Sequence, residues 1–109
     1  MKFQTIGNPN DSLIIMLPGS FCPSSGLNYL YEKLKDDYCI VLVEYNGHYE
    51  NSTFSSRQNE AKGIVEYIQK QNIHTIKMIY GQSMGAEIAI ELFKQLEKTN
   101  INVDYCFLD

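Results

Sequence analysis

The chain has 109 residues, enough for one domain, and its 44% hydrophobic and 20% charged residues are typical of a globular protein. A formal net charge of -4, without a cluster of lysine or arginine, argues against nucleic-acid binding, which needs a basic face. The longest apolar runs, 13–17 and 39–43, are far shorter than the roughly 20 residues that span a bilayer.

The first half of the chain alternates between apolar runs and helical patterns. Residues 11–17 form a nearly continuous apolar run, which is typical of a strand buried on both faces of a parallel sheet. A loop follows over 18–26, and apolar residues at helical spacing predict a helix over 27–34. The run 39–45 predicts the next buried strand, and the turn Asn46-Gly47-His48 ends it.

The second half repeats this alternation. A second helix is predicted to begin near Ser55, where Ser55 and Gln58 fit a capping box. Residues 75–80 predict another strand, and a third helix with one apolar face follows it. A last strand is predicted over 103–108, just before the chain stops at Asp109.

Repeated strand–helix–strand units predict an α/β fold, a three-layer, doubly wound parallel sheet with helices on both faces, formed by residues 1–109 as a single domain. In such sheets the loops at the carboxyl ends of the strands form the binding edge. The loops 18–26, 46–54 and 81–85 all leave carboxyl ends. We therefore expect the functional site at that edge.

The stretch Gly81-Gln82-Ser83-Met84-Gly85 fits the pattern G-x-S-x-G between a predicted strand and a predicted helix. A side chain at Gly81 or Gly85 would crowd so sharp a turn. The turn holds Ser83 in a strained position with its hydroxyl beyond the sheet, and it aims backbone N–H groups at whatever that hydroxyl attacks. An ordinary turn, whose serine only caps the helix, is the alternative.

Three segments, which follow one another along the chain in the family's order, resemble the α/β-hydrolase family over nearly the whole chain from Asp11 onward. Residues 81–85 are similar to its nucleophile elbow. Leu17-Pro18-Gly19-Ser20 stands where the family carries a His-Gly pair, with proline replacing the histidine. Glu44-Tyr45-Asn46-Gly47-His48 resembles the Asp-x-x-Gly-His turn after the family's fourth strand.

The resemblance implies a serine hydrolase that cleaves an ester, thioester or small amide of a small-molecule acyl substrate through an acyl-serine intermediate. Ser83 would be the nucleophile, between the elbow glycines Gly81 and Gly85. The amides of Ser20 and Met84 would form the oxyanion hole. Fixed donors of this kind each stabilise the developing charge by about 2.7 to 4 kcal/mol.

The sequence predicts neither a metal site nor a cofactor. Cys22, Cys39 and Cys106 form no CxxC pair, and His48 and His74 are not at ligand spacing. Cys39 and Cys106 lie in apolar runs and are expected to be buried, whereas the loop residue Cys22 is expected to be exposed. The phosphate-binding patterns G-x-x-x-x-G-K-[ST] and G-x-G-x-x-G do not occur, which argues against a nucleotide-binding module.

The set of residues that would activate the serine is incomplete. In the family the chain order is serine, acid, histidine, but no histidine follows Ser83. Asp109 ends the last strand, where some lipase-like members place the acid, and it can equally be an ordinary polar residue there. His48 lies on the correct edge, although its counterpart in the family is not the base, and His74 precedes its strand at the opposite edge.

These observations predict the amino-terminal portion of a larger hydrolase, lacking its C-terminal part. The alternative is a catalytically incomplete, truncated hydrolase or a non-catalytic half-domain that pairs with another chain. The last strand, 103–108, would leave an unpaired apolar edge, which offers a route to self-association. The N-terminus carries no signal-peptide core, so a cytoplasmic location is expected.

Overall fold

The structure is a computed structural model that describes residues 1–109, apart from the side chain of Ser24. Its five strands are β1 (Lys2–Ile6), β2 (Leu13–Leu17), β3 (Cys39–Glu44), β4 (Thr75–Gly81) and β5 (Asn102–Leu108). Its α-helices are α1 (Asn28–Leu34), α2 (Arg57–Lys70) and α3 (Met84–Leu96), and a 3-10 turn, Ser24–Leu27, precedes α1. Among the described residues, none of the helices is both long and apolar enough to cross a membrane.

The strands form one sheet in the order β1-β3-β2-β4-β5. The four strands from β2 to β5 are parallel, as the sequence predicts. After β2 the chain enters β3 on one side and then crosses to β4 on the other. The strand order therefore reverses at β2, and the crevice outside the carboxyl ends of β2 and β4 is the expected binding position.

Strand β1 was not predicted from the sequence. It pairs antiparallel with β3, from Lys2 opposite Glu44 to Ile6 opposite Ile40. Only Phe3 and Ile6 of this strand are even half-buried. An antiparallel edge strand needs little apolar sequence because it hydrogen-bonds along one side only and keeps one face in solvent.

Helices cover both faces of the sheet, so the predicted three-layer arrangement is confirmed. On one face α2 and α3 pack against alternate residues of β2 and β3, including Ile15 and Val41. On the other face the residues Leu27 and Leu30 cover Ile14 and the neighbouring strands. All five residues of β2 are buried, which accounts for its continuous apolar sequence.

Two local expectations are wrong. Helix α2 is capped by Ser56, whose side chain accepts a hydrogen bond from the Asn59 amide at 3.0 Å, so the predicted Ser55 cap is one residue too early. Cys106 is exposed because β5 is the edge strand, whereas Cys39 is buried and Cys22 exposed, as expected. An apolar run alone does not distinguish a central strand from an edge strand.

Candidate active site

Ser83 lies between the last residue of β4 and the first residue of α3. Its backbone has φ 57° and ψ -117°, a conformation that costs a residue other than glycine about 1 to 3 kcal/mol. Within the described residues, its side chain accepts no hydrogen bond from α3 amides, so the geometry gives no support to a purely capping serine. The residue is exposed at the carboxyl edge of the sheet.

The two glycines of the turn lie in close backbone contact. A Cβ atom at Gly81 would collide with the carbonyl oxygen of Gly85. One at Gly85 would collide with the carbonyl oxygen of Leu17, at the end of β2. The close approach of β4, α3 and β2 therefore requires glycine at both positions, and it brings the start of α3 against the end of β2.

Main-chain hydrogen bonds fix the turn from two sides. The Gln82 amide donates to the Leu17 carbonyl at 3.1 Å, and the Ser83 amide donates to the Asp109 carbonyl at 3.1 Å. The Asp109 amide in turn donates to the Gly81 carbonyl at 2.8 Å. Ser83 is thus held between the end of β2 and the residue that follows β5.

Two amides near Ser83 have no acceptor among the described residues: those of Ser20 and Met84. Met84 is the first residue of α3, so its amide lies outside the helical hydrogen-bond ladder and at the positive end of the helix dipole. The loop that carries Ser20 passes beside the nucleophile candidate, since a Cβ at Gly19 would lie 3.5 Å from the Cβ of Ser83. The structure therefore brings the predicted oxyanion loop and the turn together at one edge.

His48 is engaged in holding this loop. Its Nε2 atom accepts a hydrogen bond from the Phe21 amide at 2.8 Å, and its ring stacks on the Phe21 ring with centroids 5.3 Å apart. The Tyr45 hydroxyl donates to the Pro18 carbonyl at 2.7 Å, so two residues after β3 contact the loop after β2. With its Nε2 occupied, His48 does not present a proton acceptor to Ser83.

His74 lies at the other end of the sheet. It is exposed and directly precedes β4, whereas Ser83 follows the carboxyl end of the same strand. Seven residues at about 3.3 Å each place the two side chains roughly 20 Å apart. The expectation that His74 is remote from the site is confirmed.

The Asp109 carboxylate has a partner that sequence reasoning missed. Its Oδ2 atom accepts a hydrogen bond from the Tyr80 hydroxyl at 3.1 Å, and the Tyr80 ring stacks on Phe107 with centroids 5.7 Å apart. Burial, followed by the hydrogen bond with Asp109, raises the pKa of Tyr80 well above its usual value. Tyr80 therefore stays a proton donor to Asp109, and its place in an apolar strand gave no local signal of this role.

A second missed residue is Glu60, in the first turn of α2. Its side chain is buried, with 1% of the residue exposed, and its two oxygens accept from the backbone amide and the side-chain amide of Asn46 at 2.7 and 3.0 Å. Asn46 begins the turn that carries His48. Glu60 thus fixes that turn from behind, and its place within a polar helix start offered no signal of burial.

The larger cavities do not coincide with this site. One of about 300 Å³ lies at the amino edge of the sheet, between the loop before β2 and the start of β4. A smaller cavity, about 140 Å³, lies beside the site on the β3 side. Its lining residues come from the loops after β2 and β3: Phe21, Cys22, Pro23, Glu44, Tyr45 and His48. Among the described residues, no cluster of three or more His, Cys, Asp or Glu is arranged to hold a metal ion.

Solved structures share this architecture. An α/β hydrolase family protein from Desulfitobacterium hafniense is 24% identical with a TM-score of 0.91, over 99% of this chain and 43% of that one. A marine microorganism esterase is 22% identical with a TM-score of 0.83, over 98% and 40% of the two chains. A 1H-3-hydroxy-4-oxoquinoline 2,4-dioxygenase is 21% identical with a TM-score of 0.76, over 86% and 36%.

The chain therefore has the α/β-hydrolase fold, as the sequence resemblance predicts, and spans about two fifths of the length of these structures. No family model and no curated protein sequence matches it. The presence of a dioxygenase among the neighbours shows that the fold alone does not decide the reaction.

Proposed function

We propose that this chain carries the nucleophile and oxyanion hole of a serine hydrolase, acting on an ester, thioester or small amide through an acyl-serine intermediate on Ser83. The observation that carries the proposal is the backbone of Ser83, held at φ 57° between β4 and α3 with an exposed side chain. Strained residues of this kind cluster at functional sites. The likeness to an esterase supports the proposal at the level of the fold.

In the proposed reaction the Ser83 oxygen attacks the carbonyl carbon, and the carbonyl electron pair moves onto its oxygen. The free amides of Ser20 and Met84 stabilise that oxyanion. Collapse of the intermediate expels the alcohol, thiol or amine, which leaves with the proton of the Ser83 hydroxyl, carried to it by solvent water. Attack of water on the acyl group then releases the acid and restores Ser83.

The base is the missing part of this site. His48 accepts a hydrogen bond from Phe21, and His74 lies at the opposite edge of the sheet. No histidine of these 109 residues is placed to take the proton, and Asp109, the proposed acid, has no histidine to orient. An oxyanion hole and binding alone leave roughly 10³ to 10⁴-fold acceleration over water, so we expect slow acylation.

The missing base favours a second candidate function, a non-catalytic or catalytically incomplete half-domain that pairs with another chain. Its support is the engagement of His48 together with the exposed edge strand β5. This candidate predicts folded protein that binds other chains and shows no reactivity at Ser83.

Labelling with a fluorophosphonate probe separates the two candidates. The intact chain should be labelled, and Ser83→Ala should abolish the labelling. Ser20→Ala is the matched control because it removes a neighbouring hydroxyl and keeps the proposed amide donor. Serine hydrolase chemistry is contradicted if folded protein, verified by circular dichroism, is not labelled or is labelled equally in Ser83→Ala.

A further inference from the structure

The contact between His48 and Phe21 fixes the protonation state of the histidine. An amide nitrogen only donates, so the Nε2 atom that accepts from Phe21 must be unprotonated. The ring is therefore neutral, with its proton on Nδ1. That Nδ1 atom is buried and has no hydrogen-bond partner among the described residues. A second proton would turn both ring nitrogens into donors, one of them pointing at the Phe21 amide.

Phe21 depends on this contact for its position. Its backbone has φ 57°, which lies in the left-handed region. Residues other than glycine, asparagine and aspartate rarely adopt that conformation. Its side chain is 85% exposed, so core packing does not hold it. The His48 ring contributes both the acceptor for its amide and a stacking surface for its ring. Phe21 directly follows Ser20, whose free amide is the proposed oxyanion donor.

In the described part of the chain, few other titratable side chains surround the His48 ring. Among the described residues that line the adjoining cavity of about 140 Å³, the titratable ones are Cys22, Glu44 and Tyr45. The Tyr45 ring lies edge-on to His48 at 5.3 Å, and burial raises the pKa of its hydroxyl, which stays a donor to Pro18. Glu44 contributes the one carboxylate among these described lining residues.

We propose that His48 is a proton-sensitive positioning residue for the oxyanion loop. In its neutral form it holds the Phe21 amide and thereby places the Ser20 amide beside Ser83. Protonation of the ring replaces the hydrogen bond with two opposed N–H groups and releases residues 19–22 from the turn after β3. The consequence for reactivity rests on the proposed function, whereas the release of the loop does not.

Reactivity at Ser83 should fall in acid. Protonation of the ring removes the acceptor for the Phe21 amide, so the hydrogen bond needs the neutral ring. Acidification that protonates the ring therefore displaces Ser20, and the rate of reaction at Ser83 falls. Complete loss of one oxyanion donor costs about 10² to 10³-fold in rate, so for a partial displacement we expect a smaller loss, about tenfold.

Three variants of the intact chain test the effect on reactivity. His48→Gln keeps an acceptor within reach of the Phe21 amide and does not titrate, so its labelling rate should match the unmodified protein at pH 8 and exceed it about tenfold at pH 5. His48→Leu removes the acceptor and should label slowly at every pH. His74→Gln, the matched control at the opposite edge, should follow the unmodified protein.

Nuclear magnetic resonance of the same chain tests the contact between His48 and Phe21 independently of any reactivity at Ser83. The Phe21 amide resonance should shift with the same midpoint as the His48 ring between pH 8 and 5, and should stay constant in His48→Gln. A Phe21 amide that ignores the His48 titration, or a His48→Gln variant with the same acid loss of labelling, overturns the proposal. Absence of labelling in all variants, with the coupled titration intact, would refute only the hydrolase function.

Discussion

The Ser83 amide donates a hydrogen bond to the Asp109 carbonyl oxygen at 3.1 Å, which ties the turn after β4 to the residue that follows β5. The carboxylate of the same aspartate accepts from the hydroxyl of Tyr80, a residue near the end of β4. Asp109 therefore supports the Ser83 turn through its main chain, whatever role its side chain has. On the other side the turn rests on the Leu17 carbonyl, through the Gln82 amide.

The first prediction concerns the contact between Gly85 and β2. Gly85→Ala places a Cβ against the Leu17 carbonyl oxygen. The nearest atoms all belong to the backbone of Leu17 and Pro18, so they cannot move aside as a flexible side chain would. Overpacking of this kind costs about 1 to 3 kcal/mol. We expect the urea midpoint of unfolding to fall accordingly and the labelling of Ser83 to be lost or strongly slowed.

Gly26→Ala is the matched control for this substitution, because a Cβ at Gly26 meets nothing within 4 Å. Its free energy of unfolding should lie within about 0.5 kcal/mol of that of the unmodified chain, as is usual for surface changes. Labelling of Ser83 should not be slowed. Equal stability of the two alanine variants would show that α3 can move away from β2 at little cost.

Tyr80 makes a prediction about alkaline pH. Burial and the hydrogen bond to Asp109 raise the pKa of its hydroxyl in the folded chain, so the folded state keeps this proton when the unfolded state has lost it. Stability therefore falls as pH rises above about 10, the ordinary tyrosine value, by at most about 1.4 kcal/mol per pH unit for this group. Tyr80→Phe should flatten the decline in urea midpoint between pH 9 and 11. An unchanged decline would mean that Tyr80 ionises freely in the folded protein.

The parts of the fold that the sequence predicted are those in which local pattern and tertiary environment agree. Strands β2 and β3 are buried on both faces, and a short run of consecutive apolar residues between turn signals is typical of that environment. The turn around Ser83 was predictable because two backbone approaches exclude any side chain at Gly81 and Gly85. In both cases the residue type is dictated by surroundings that tolerate little else.

The parts that were missed depend on contacts distant in sequence. Strand β1 is defined by its pairing with β3 rather than by its own apolar pattern. Glu60 is buried by a turn 14 residues earlier, and Tyr80 meets Asp109 across 29 residues. Cys106 lies in an apolar run whose exposure follows only from the edge position of β5. A single sequence carries no signal for which distant polar groups will meet.

Glu60 makes the third prediction. Glu60→Gln replaces a carboxylate that accepts two hydrogen bonds from Asn46 with an amide that offers one acceptor and turns a donor toward a donor. Leaving a buried polar group unsatisfied costs about 1 to 3 kcal/mol, which should appear as a lower urea midpoint. Glu66→Gln, on the exposed side of the same helix, is the control and should change little. If both variants unfold at the same urea concentration, the buried carboxylate does not stabilise the turn before His48.

The edge strand β5 makes the last prediction. Three of its large side chains, Tyr105, Phe107 and Leu108, are exposed, and its outer edge is unpaired in the sheet order. Such an edge is a template for pairing with another chain, and a lysine on it is a common means of prevention. We propose that the chain self-associates through β5, so sedimentation velocity should show a concentration-dependent shift that Leu108→Lys reduces. Ile90→Lys, which replaces a comparably exposed apolar residue on α3, should leave the association intact. Equal reduction by both lysines would point to general apolar attraction, and a concentration-independent monomer would refute self-association altogether.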